Sequence, residues 1–246
     1  MEPVFRTLEL GAALAVRATG TRIDYRDLEH LPTRGGAVVA INHTSYVDFL
    51  PAGLAVHRAR RRLRFMIKAE MRRVPVVNFL ISHTGTIAVD RTAGAGAYAA
   101  AVRRLRAGEL VGVYPEATIS RSFELKEFKT GVARMALEAA VPVIPLIVWG
   151  AQRIWTKDHP KRLGRNHTPI TVAVGAPIRP EGSVPELLVT VHARMAALLH
   201  EVQRDYPHPP GAFWVPRQLG GAAPTPAQAK VLDEAELVHR ARRVRR

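Results

Sequence analysis

The stretch Ala37-Val-Val-Ala-Ile-Asn-His-Thr-Ser-Tyr-Val-Asp-Phe49 joins an apolar run to a group of polar side chains. The apolar run, which ends at Asn42, predicts a buried strand. Thr44 or Ser45 is placed to cap a helix that follows it. His43 would then lie in the strand–helix turn, and Asp48 one turn into the helix. The stretch therefore predicts an α/β fold with polar groups at the end of a strand.

Outward from this stretch, β-rich runs alternate with helical segments. This alternation predicts an α/β fold with a mostly parallel central sheet of about seven strands, flanked by helices. Ligands bind such sheets beyond the carboxyl ends of the strands. The predicted helices cover residues 46–57, 74–82, 95–107, 128–139 and 185–204. The predicted strands are Thr21–Tyr25, Ala37–Asn42, Leu63–Ile67, Thr86–Val89, Leu110–Tyr114, Val143–Trp149 and Ile170–Val174.

The chain of 246 residues divides into three parts. Residues 1–20 predict a helix that either packs on the core or lies in a membrane surface. Residues 21–206 have the length of one α/β domain with a full core. Residues 207–246 are rich in Pro and Gly, which predicts an extended, loosely structured tail with a short helix near Ala227–Leu237. Its basic end, His239–Arg246, is either a solvated terminus or an anchor at anionic lipid.

Composition excludes several classes of site. The sequence has no cysteine, which removes disulfides, thiolate zinc sites and a Cys nucleophile. The net charge of +15 favours an anionic partner, such as an acidic membrane, a phosphorylated molecule or nucleic acid. No segment has the roughly 20 consecutive apolar residues of a membrane span, and no signal peptide is visible. A peripheral protein is therefore expected.

His43 and Asp48 form a pair whose spacing is unspecific by itself. His200 and Asp205 have the same spacing, but within a helical run their side chains would point about 140° apart. A His43 outside the helix can instead turn back to meet Asp48. A carboxylate that accepts from one imidazole nitrogen fixes the tautomer and leaves the other nitrogen as a base near neutral pH.

Four blocks in a fixed order accompany this pair. They are Asn42-His-Thr-Ser-Tyr-Val-Asp48, Gly85-Thr-Ile-Ala-Val-Asp-Arg91, Tyr114-Pro-Glu-Ala-Thr118 and Val141-Pro-Val-Ile-Pro145. With these blocks the sequence resembles the glycerolipid acyltransferases of the lysophosphatidic acid acyltransferase type, from about residue 36 to 150. The segments Phe65-Met-Ile-Lys68 and Phe128-Lys-Thr-Gly131 are similar to this family as well.

The resemblance implies an O-acyltransferase of the 1-acylglycerol-3-phosphate type. His43 would deprotonate the hydroxyl of a lysophospholipid, which attacks the thioester of acyl-CoA or acyl-carrier protein, and Asp48 would orient His43. Lys68 and Arg91 would hold the acceptor's phosphate. No cofactor beyond the acyl carrier and no metal is implied, and the place of action would be the cytoplasmic face of the cell membrane, at an anionic membrane surface.

The third block departs from the family's Pro-Glu-Gly-Thr-Arg-Ser. Glu116 and Thr118 keep the family's residue types and would lie in the acceptor site, where the carboxyl of Glu116 can either contact a hydroxyl or form a structural hydrogen bond to the loop. Ala117 replaces a glycine, so we expect this loop not to take a positive φ freely. Ile119 replaces an arginine expected near the phosphate, and Arg121, two residues further on, is a candidate to compensate.

Three other functions are weighed against acyl transfer. Gly94-Ala-Gly-Ala-Tyr-Ala99 matches a dinucleotide-binding fingerprint, but four residues separate it from the preceding strand. The Arg-rich stretch 58–73 would suit nucleic acid, yet no nucleic-acid-binding motif accompanies it. A hydrolase that uses the same His–Asp pair on water is the nearest chemical rival.

Overall fold

The computed structural model describes residues 3–73, 75–90 and 94–244. Within these residues one seven-stranded sheet has helices on both faces. The strands are β1 (Arg22–Arg26), β2 (Ala37–Ile41), β3 (Leu63–Lys68), β4 (Ile87–Val89), β5 (Leu110–Val113), β6 (Val143–Trp149) and β7 (Pro169–Val174). The α-helices are α1 (Pro3–Ala18), α2 (Phe49–Arg58), α3 (Pro75–Thr84), α4 (Ala95–Arg106), α5 (Gly131–Ala139), α6 (Val184–Arg204) and α7 (Pro226–Val244).

The strand order is β1-β7-β6-β2-β5-β3-β4, with β6 and β7 as the antiparallel pair. The other neighbours pair in parallel. This arrangement confirms the predicted α/β fold with a mostly parallel sheet. All seven predicted strands are present, because their apolar runs are bounded by turn residues that end each strand clearly.

Strand β2 lies in the middle of the sheet and is buried on both faces. Its alternate residues Val38 and Ala40 pack into the layer that contains α4, α5 and α6. Val39 and Ile41 pack on the opposite face, against α2. A strand buried on both faces needs an uninterrupted apolar sequence, which explains the run 37–41.

The register of the sheet brings the carboxyl ends of three strands to one edge. Ala40 of β2 pairs with Val113 of β5, and Gly112 of β5 pairs with Phe65 of β3. The segments that follow β2, β5 and β3 therefore leave the sheet on the same side. The polar blocks predicted from the sequence begin at this edge.

Helix α2 begins later than predicted, at Phe49 rather than near residue 46. Residues 42–48 instead form the turn that carries His43 and Asp48. Pro51 lies in the first turn of α2, where its missing N–H removes no helical hydrogen bond.

Residues 207–225 were expected to be extended and loosely structured, and the structure differs. Trp214, Val215 and Ala223 are buried in the same core layer as α6. The burial of Trp214 and Val215 outweighs the Pro and Gly content of this segment, because it stabilises one backbone conformation. Helix α7 follows and extends beyond the predicted short helix near Ala227–Leu237.

Helix α1 exposes part of its apolar sequence. The side chains of Leu10 and Leu14 are 66% and 68% exposed. In the described ranges, no helix combines the length with the apolar character that crossing a bilayer requires.

Candidate active site

Asn42 fixes the chain where β2 ends. Its side-chain amide donates to the carbonyl oxygen of Val148 (3.0 Å), and the N–H of Val148 donates to its side-chain oxygen (2.7 Å). The side chain thus continues the pairing of β2 with β6 for one more residue, while the backbone turns away from the sheet. His43 begins the turn from this fixed point.

The turn brings His43 and Asp48 together. The His43 Nδ1 lies 3.2 Å from Asp48 Oδ2, which also accepts from the backbone N–H groups of Thr44 (2.9 Å) and Ser45 (2.7 Å). Asp48 is fully buried, whereas the side chain of His43 is 21% exposed. Because Nδ1 faces the carboxylate, Nε2 is the ring nitrogen left for proton transfer.

The capping role expected of Thr44 or Ser45 is wrong. Asp48 precedes α2, and the hydroxyl of Ser45 donates to the carbonyl oxygens of Ala151 (3.0 Å) and Trp155 (2.6 Å). The turn is therefore held by its own carboxylate and by the segment after β6, rather than by a helix cap.

Burial and hydrogen bonding act in opposite directions on Asp48. Burial raises the pKa of its carboxyl above the ordinary value, and the His43 imidazole and the two turn N–H groups lower it. Oδ2 of Asp48 is the shared acceptor for Nδ1 of His43 and for the backbone N–H groups of Thr44 and Ser45. The hydrogen bonds favour the ionised form and orient the imidazole, whereas burial has the larger effect, so the net shift of the Asp48 pKa is upward.

Tyr114 covers the imidazole on one side. The two rings stack with centroids 4.1 Å apart and 24° between their planes. Burial and the negative charge of Asp48 raise the pKa of the Tyr114 hydroxyl well above its ordinary value, so the ring stays neutral. The row of rings continues through Phe65, 6.4 Å from Tyr114, to the half-exposed Phe49.

Glu116 ties the third block to the turn that contains His43. One carboxyl oxygen accepts from the backbone N–H of His43 (2.8 Å) and the other from the N–H of Lys126 (3.1 Å). Burial raises the pKa of Glu116 to about 8, although these two N–H groups lower it. The N–H of Ser120 donates in turn to the carbonyl oxygen of His43 (2.8 Å). Glu116 thus fixes the backbone of the turn at His43.

The loop after Glu116 does take a positive φ, contrary to the expectation for Ala117. Ala117 has φ = 60° and Phe123, in the same loop, has φ = 58°. The contacts on either side over-determine the loop, so it keeps the left-handed conformation without a glycine. Ile119 is buried, 3% exposed.

Thr118 and Arg121 lie in a cluster of charged groups. Arg121 pairs with Asp158 and with two carboxylates of α7, Asp233 and Glu236. Thr118 accepts a hydrogen bond from Lys157 (2.9 Å). The guanidinium of Arg121 is therefore engaged by carboxylates, and its role toward a substrate phosphate stays a prediction.

Two predicted phosphate ligands remain, Lys68 and Arg91. Lys68 is the last residue of β3, half-buried, at the same edge of the sheet as His43. Arg91 lies outside the described residues; β4, which pairs with β3, ends two residues before it.

The second His–Asp spacing lies away from this site. His200 is exposed on α6, and Asp205 forms an ion pair with Arg26 (3.0 Å). The strand–turn–helix setting separates the two pairs, as the sequence predicted.

Several contributors to the site had no signal in the sequence. The ring contact of Tyr114 follows from the register of β5 against β2, and Lys126 and Lys157 reach the loop through tertiary contacts. The hydroxyl of Thr156 donates to the carbonyl of Thr44 (2.8 Å). The sequence shows that Lys126 and Lys157 follow predicted strands, but no regular spacing relates them to His43 and Asp48.

Fold and site together define an α/β protein with a His–Asp pair, suited to general-base chemistry, at the carboxyl edge of its sheet. Comparison with known proteins places it more closely. The Acyltransferase family model matches residues 22–149, which include strands β1 to β6 and the pair, so the chain belongs to the acyltransferase family.

Individual relatives are distant. A 1-acyl-sn-glycerol-3-phosphate acyltransferase of Borreliella burgdorferi is 25% identical over 142 residues, 56% of each chain. An uncharacterized protein of Mycobacterium leprae is 30% identical over 147 residues, 54% of this chain and 38% of that one. A 1-acyl-sn-glycerol-3-phosphate acyltransferase of Pseudomonas aeruginosa is 23% identical over 190 residues, 76% and 70% of the two chains. The match thus spans 56% and 38% of the length of the first two relatives.

A solved structure shares the fold over most of the chain. The crystal structure of the 1-acyl-sn-glycerophosphate (LPA) acyltransferase PlsC from Thermotoga maritima superimposes with a TM-score of 0.69 and 21% identity. The match covers 83% of this chain and 82% of that chain.

Proposed function

We propose that this protein is an O-acyltransferase that moves a fatty acyl chain from a thioester to the free hydroxyl of a lysophospholipid. The observation that carries the proposal is the His43–Asp48 contact in the turn after β2, within a chain of the acyltransferase family. Lysophosphatidic acid is the proposed acceptor, and phosphatidic acid the product. The relatives of Borreliella burgdorferi and Pseudomonas aeruginosa, whose names specify this reaction, support the choice.

The proposed reaction needs one base and no covalent enzyme intermediate. Nε2 of His43 takes the proton of the acceptor hydroxyl while its oxygen attacks the thioester carbonyl carbon. The C–S bond breaks as the tetrahedral intermediate collapses. The departing thiolate then receives from His43 the proton that came from the acceptor hydroxyl. Asp48 stabilises the imidazolium that exists between these two transfers. The absence of cysteine from the sequence agrees with direct transfer.

The neighbours of the pair would restrict its motion. Tyr114 stacks on the imidazole, and Glu116 holds the backbone N–H of His43. Both contacts fix the ring relative to the edge of the sheet, where a hydroxyl has to arrive within about 3 Å of Nε2 for transfer.

The acyl donor in this proposal is acyl-CoA or acyl-carrier protein. Both carry the acyl chain on a phosphopantetheine thioester, so the reacting atoms are the same. Lys68, the last residue of β3, and Arg91, two residues after β4 in the sequence, are the candidates for the acceptor phosphate that the sequence predicts, which suits their charge.

The proposed place of action is an anionic membrane surface, at the cytoplasmic face of the cell membrane. The net charge of +15 would attract acidic lipid, and exposed Leu10 and Leu14 lie one helical turn apart on α1. An insoluble acceptor is most accessible to a protein that binds its bilayer.

The test is an acyltransfer assay with acyl-CoA and a panel of lysolipids that differ in head group. We expect the wild type to convert lysophosphatidic acid best, and His43→Ala to lower kcat by about 10²–10⁴-fold, the usual contribution of a general base. His200→Ala is the matched control, since that histidine has an aspartate at the same spacing and is exposed on α6.

Analysis of the products separates transfer from hydrolysis. Phosphatidic acid formed in step with released CoA supports the proposal, whereas free fatty acid without diacyl lipid would point to a thioester hydrolase. Retention of most of the activity by His43→Ala would sink the proposed mechanism.

A further inference from the structure

A cluster of three cations lies beside the loop that follows Glu116. Arg121 and Lys157 are almost completely buried, with side chains 7% and 8% exposed. Lys126, the third cation, is 28% exposed. Buried cations require anionic partners, because desolvation of an unpaired charge is strongly unfavourable.

The partners come largely from the end of the chain. Asp233 of α7 pairs with all three cations, and Glu236, one helical turn further, pairs with Arg121 (3.0 Å) and Lys157 (2.8 Å). A third carboxylate, on Asp158, pairs with Arg121 but is 59% exposed. Two carboxylates on one helix face thus occupy the inner side of the cluster.

The chain segments that carry the three cations are hydrogen-bonded to the turn that contains His43, directly or through Glu116. The residue before Arg121 donates its backbone N–H to the carbonyl of His43 (2.8 Å), and the residue before Lys157 donates its hydroxyl to the carbonyl of Thr44 (2.8 Å). The N–H of Lys126 donates to the carboxylate that also accepts from the N–H of His43. Each cation is therefore within a residue or two of a direct contact to the turn.

Helix α7 is held by charge rather than by apolar packing. Among the described residues of α7, Ala229 is the buried apolar side chain, whereas Val231, Leu237 and Val238 are 65%, 61% and 53% exposed. A cleft of about 430 Å³ lies between the helix and the segment before it, lined by Val231 and Leu232 on the helix side. Little apolar burial would be lost if the helix left.

The charges of the cluster balance only with α7 in place. Three cations face three carboxylates, and removal of Asp233 and Glu236 leaves two net positive charges. A phosphate monoester carries about −1.5 to −2 charges near neutral pH. Without α7, the cluster would therefore match a phosphate monoester in charge. The planar guanidinium of Arg121 and the ammonium groups of the two lysines are donors suited to phosphate oxygens.

We propose that Arg121, Lys126 and Lys157 form a phosphate-binding site of the acceptor, and that Asp233 and Glu236 of α7 are its internal occupants. Lysophosphatidic acid and α7 then compete for the same cations, so the acceptor has to displace the helix. The acceptor phosphate is thereby assigned to this cluster in place of Lys68 and Arg91, and the cluster supplies the cationic ligands that Ile119 cannot provide. This inference rests on the proposed function for the identity of the acceptor, but not for the phosphate chemistry.

The first test is calorimetric titration of the full chain with glycerol 3-phosphate. Asp233→Asn/Glu236→Gln removes both occupants while keeping their shape, and Glu234→Gln removes one exposed charge from the same helix as the control. We expect the double variant to bind about tenfold more tightly than the wild type and the control. This is the effect expected if α7 leaves the site open in roughly a tenth of the wild-type molecules. Equal affinities, or no binding by any of the three, would overturn the inference.

A second measurement needs no variant. Amide hydrogen exchange of the wild type is followed across α7 with and without saturating glycerol 3-phosphate. Faster exchange in residues 226–239 on addition of the ligand supports displacement, and unchanged protection overturns it. This readout stands even if the double variant does not fold.

Activity separates this inference from the proposed function. With lysophosphatidic acid, the double variant should show a KM about tenfold lower, and with monoacylglycerol, which lacks the phosphate, no change relative to Glu234→Gln. If no phosphatidic acid forms while glycerol 3-phosphate binding still tightens, the proposed function fails and the site stands. If phosphatidic acid forms and the KM is unchanged, the site alone fails.

Discussion

Ala117 holds a backbone conformation that is unfavourable for an L-residue. Its φ of 60° places Cβ against the neighbouring carbonyl, which costs about 1–2 kcal/mol. We expect Ala117→Gly to raise the free energy of unfolding by about 1 kcal/mol, measured by urea denaturation, because glycine removes this strain. Ala133→Gly, inside α5, should lower it by about 1 kcal/mol or more. A loss of stability in Ala117→Gly would contradict this account of the loop.

Glu116 links stability to pH. Burial raises the pKa of its carboxyl to about 8, so the folded protein binds this proton more tightly than the unfolded chain does. Its stabilising contribution is complete below the unfolded pKa and is lost as pH rises to about 8.

We therefore expect the free energy of unfolding of Glu116→Gln, relative to wild type, to increase steadily from about pH 5 to about pH 8. Denaturant titrations at several pH values measure it. A difference that stays constant across this range would show that the carboxyl titrates alike in the folded and unfolded states.

At the residue scale, local patterns were enough to predict the contact between His43 and Asp48, but not the surroundings of this pair. His43 and Asp48 lie five residues apart in one turn, so a single sequence block contains both. Ala117 shows the opposite case, because a residue's own preference was outweighed by tertiary contacts on either side of it. The third block was recognised from its residue types, but its backbone conformation was not.

Helix α1 offers an apolar surface without a partner among the described residues. Leu10 and Leu14 are 66% and 68% exposed and are one turn apart. If this face enters a bilayer, Leu10→Gln/Leu14→Gln should weaken sedimentation with anionic liposomes by about tenfold or more, since burial of each leucine contributes about 1.5–3 kcal/mol. Val189→Gln, which alters an equally exposed residue of α6, is the control. Equal binding by the two variants would exclude α1 from the contact.

At the element scale, strands were predicted more reliably than helix starts. The strands are short apolar runs between breakers, so their bounds agree with the structure within about two residues. Helices α2 and α5 begin three residues later than predicted, at Phe49 and Gly131, because the preceding residues make tertiary hydrogen bonds instead of helical ones. The helix propensity of the residues does not describe this competition between tertiary and helical hydrogen bonds.

The segment between α6 and α7 belongs to the core of the whole molecule. Trp214 is 5% exposed, packs against Tyr206 and lies under the guanidinium of Arg153 (4.8 Å). We expect Trp214→Ala to lower the free energy of unfolding by about 3–5 kcal/mol, as for other large core residues. Leu163→Ala, at a site 59% exposed, should change it by less than about 0.5 kcal/mol. Denaturant titration compares them, and similar values for both would remove this segment from the core.

At the scale of the whole molecule, the sequence predicted the sheet but not what closes around the site. Helix α7 reaches Arg121 through ion pairs between residues more than 100 positions apart, such as Arg121 with Asp233. Charged side chains at such separations leave no periodic pattern, and their pairing depends on the path of every element between them. The cluster of cations around Arg121 and its pairing with α7 therefore depend on the tertiary structure.

The hydrogen bonds from Ser45 to Ala151 and Trp155 have a consequence for modularity. The region matched by the family model ends at Trp149, yet two groups that hold the turn of His43 and Asp48, the carbonyls of Ala151 and Trp155, lie just beyond it. A transplant of residues 22–149 into another scaffold would carry both His43 and Asp48 but leave their scaffolding behind. The smallest portable unit of this site is thus longer than the region that the family model matches.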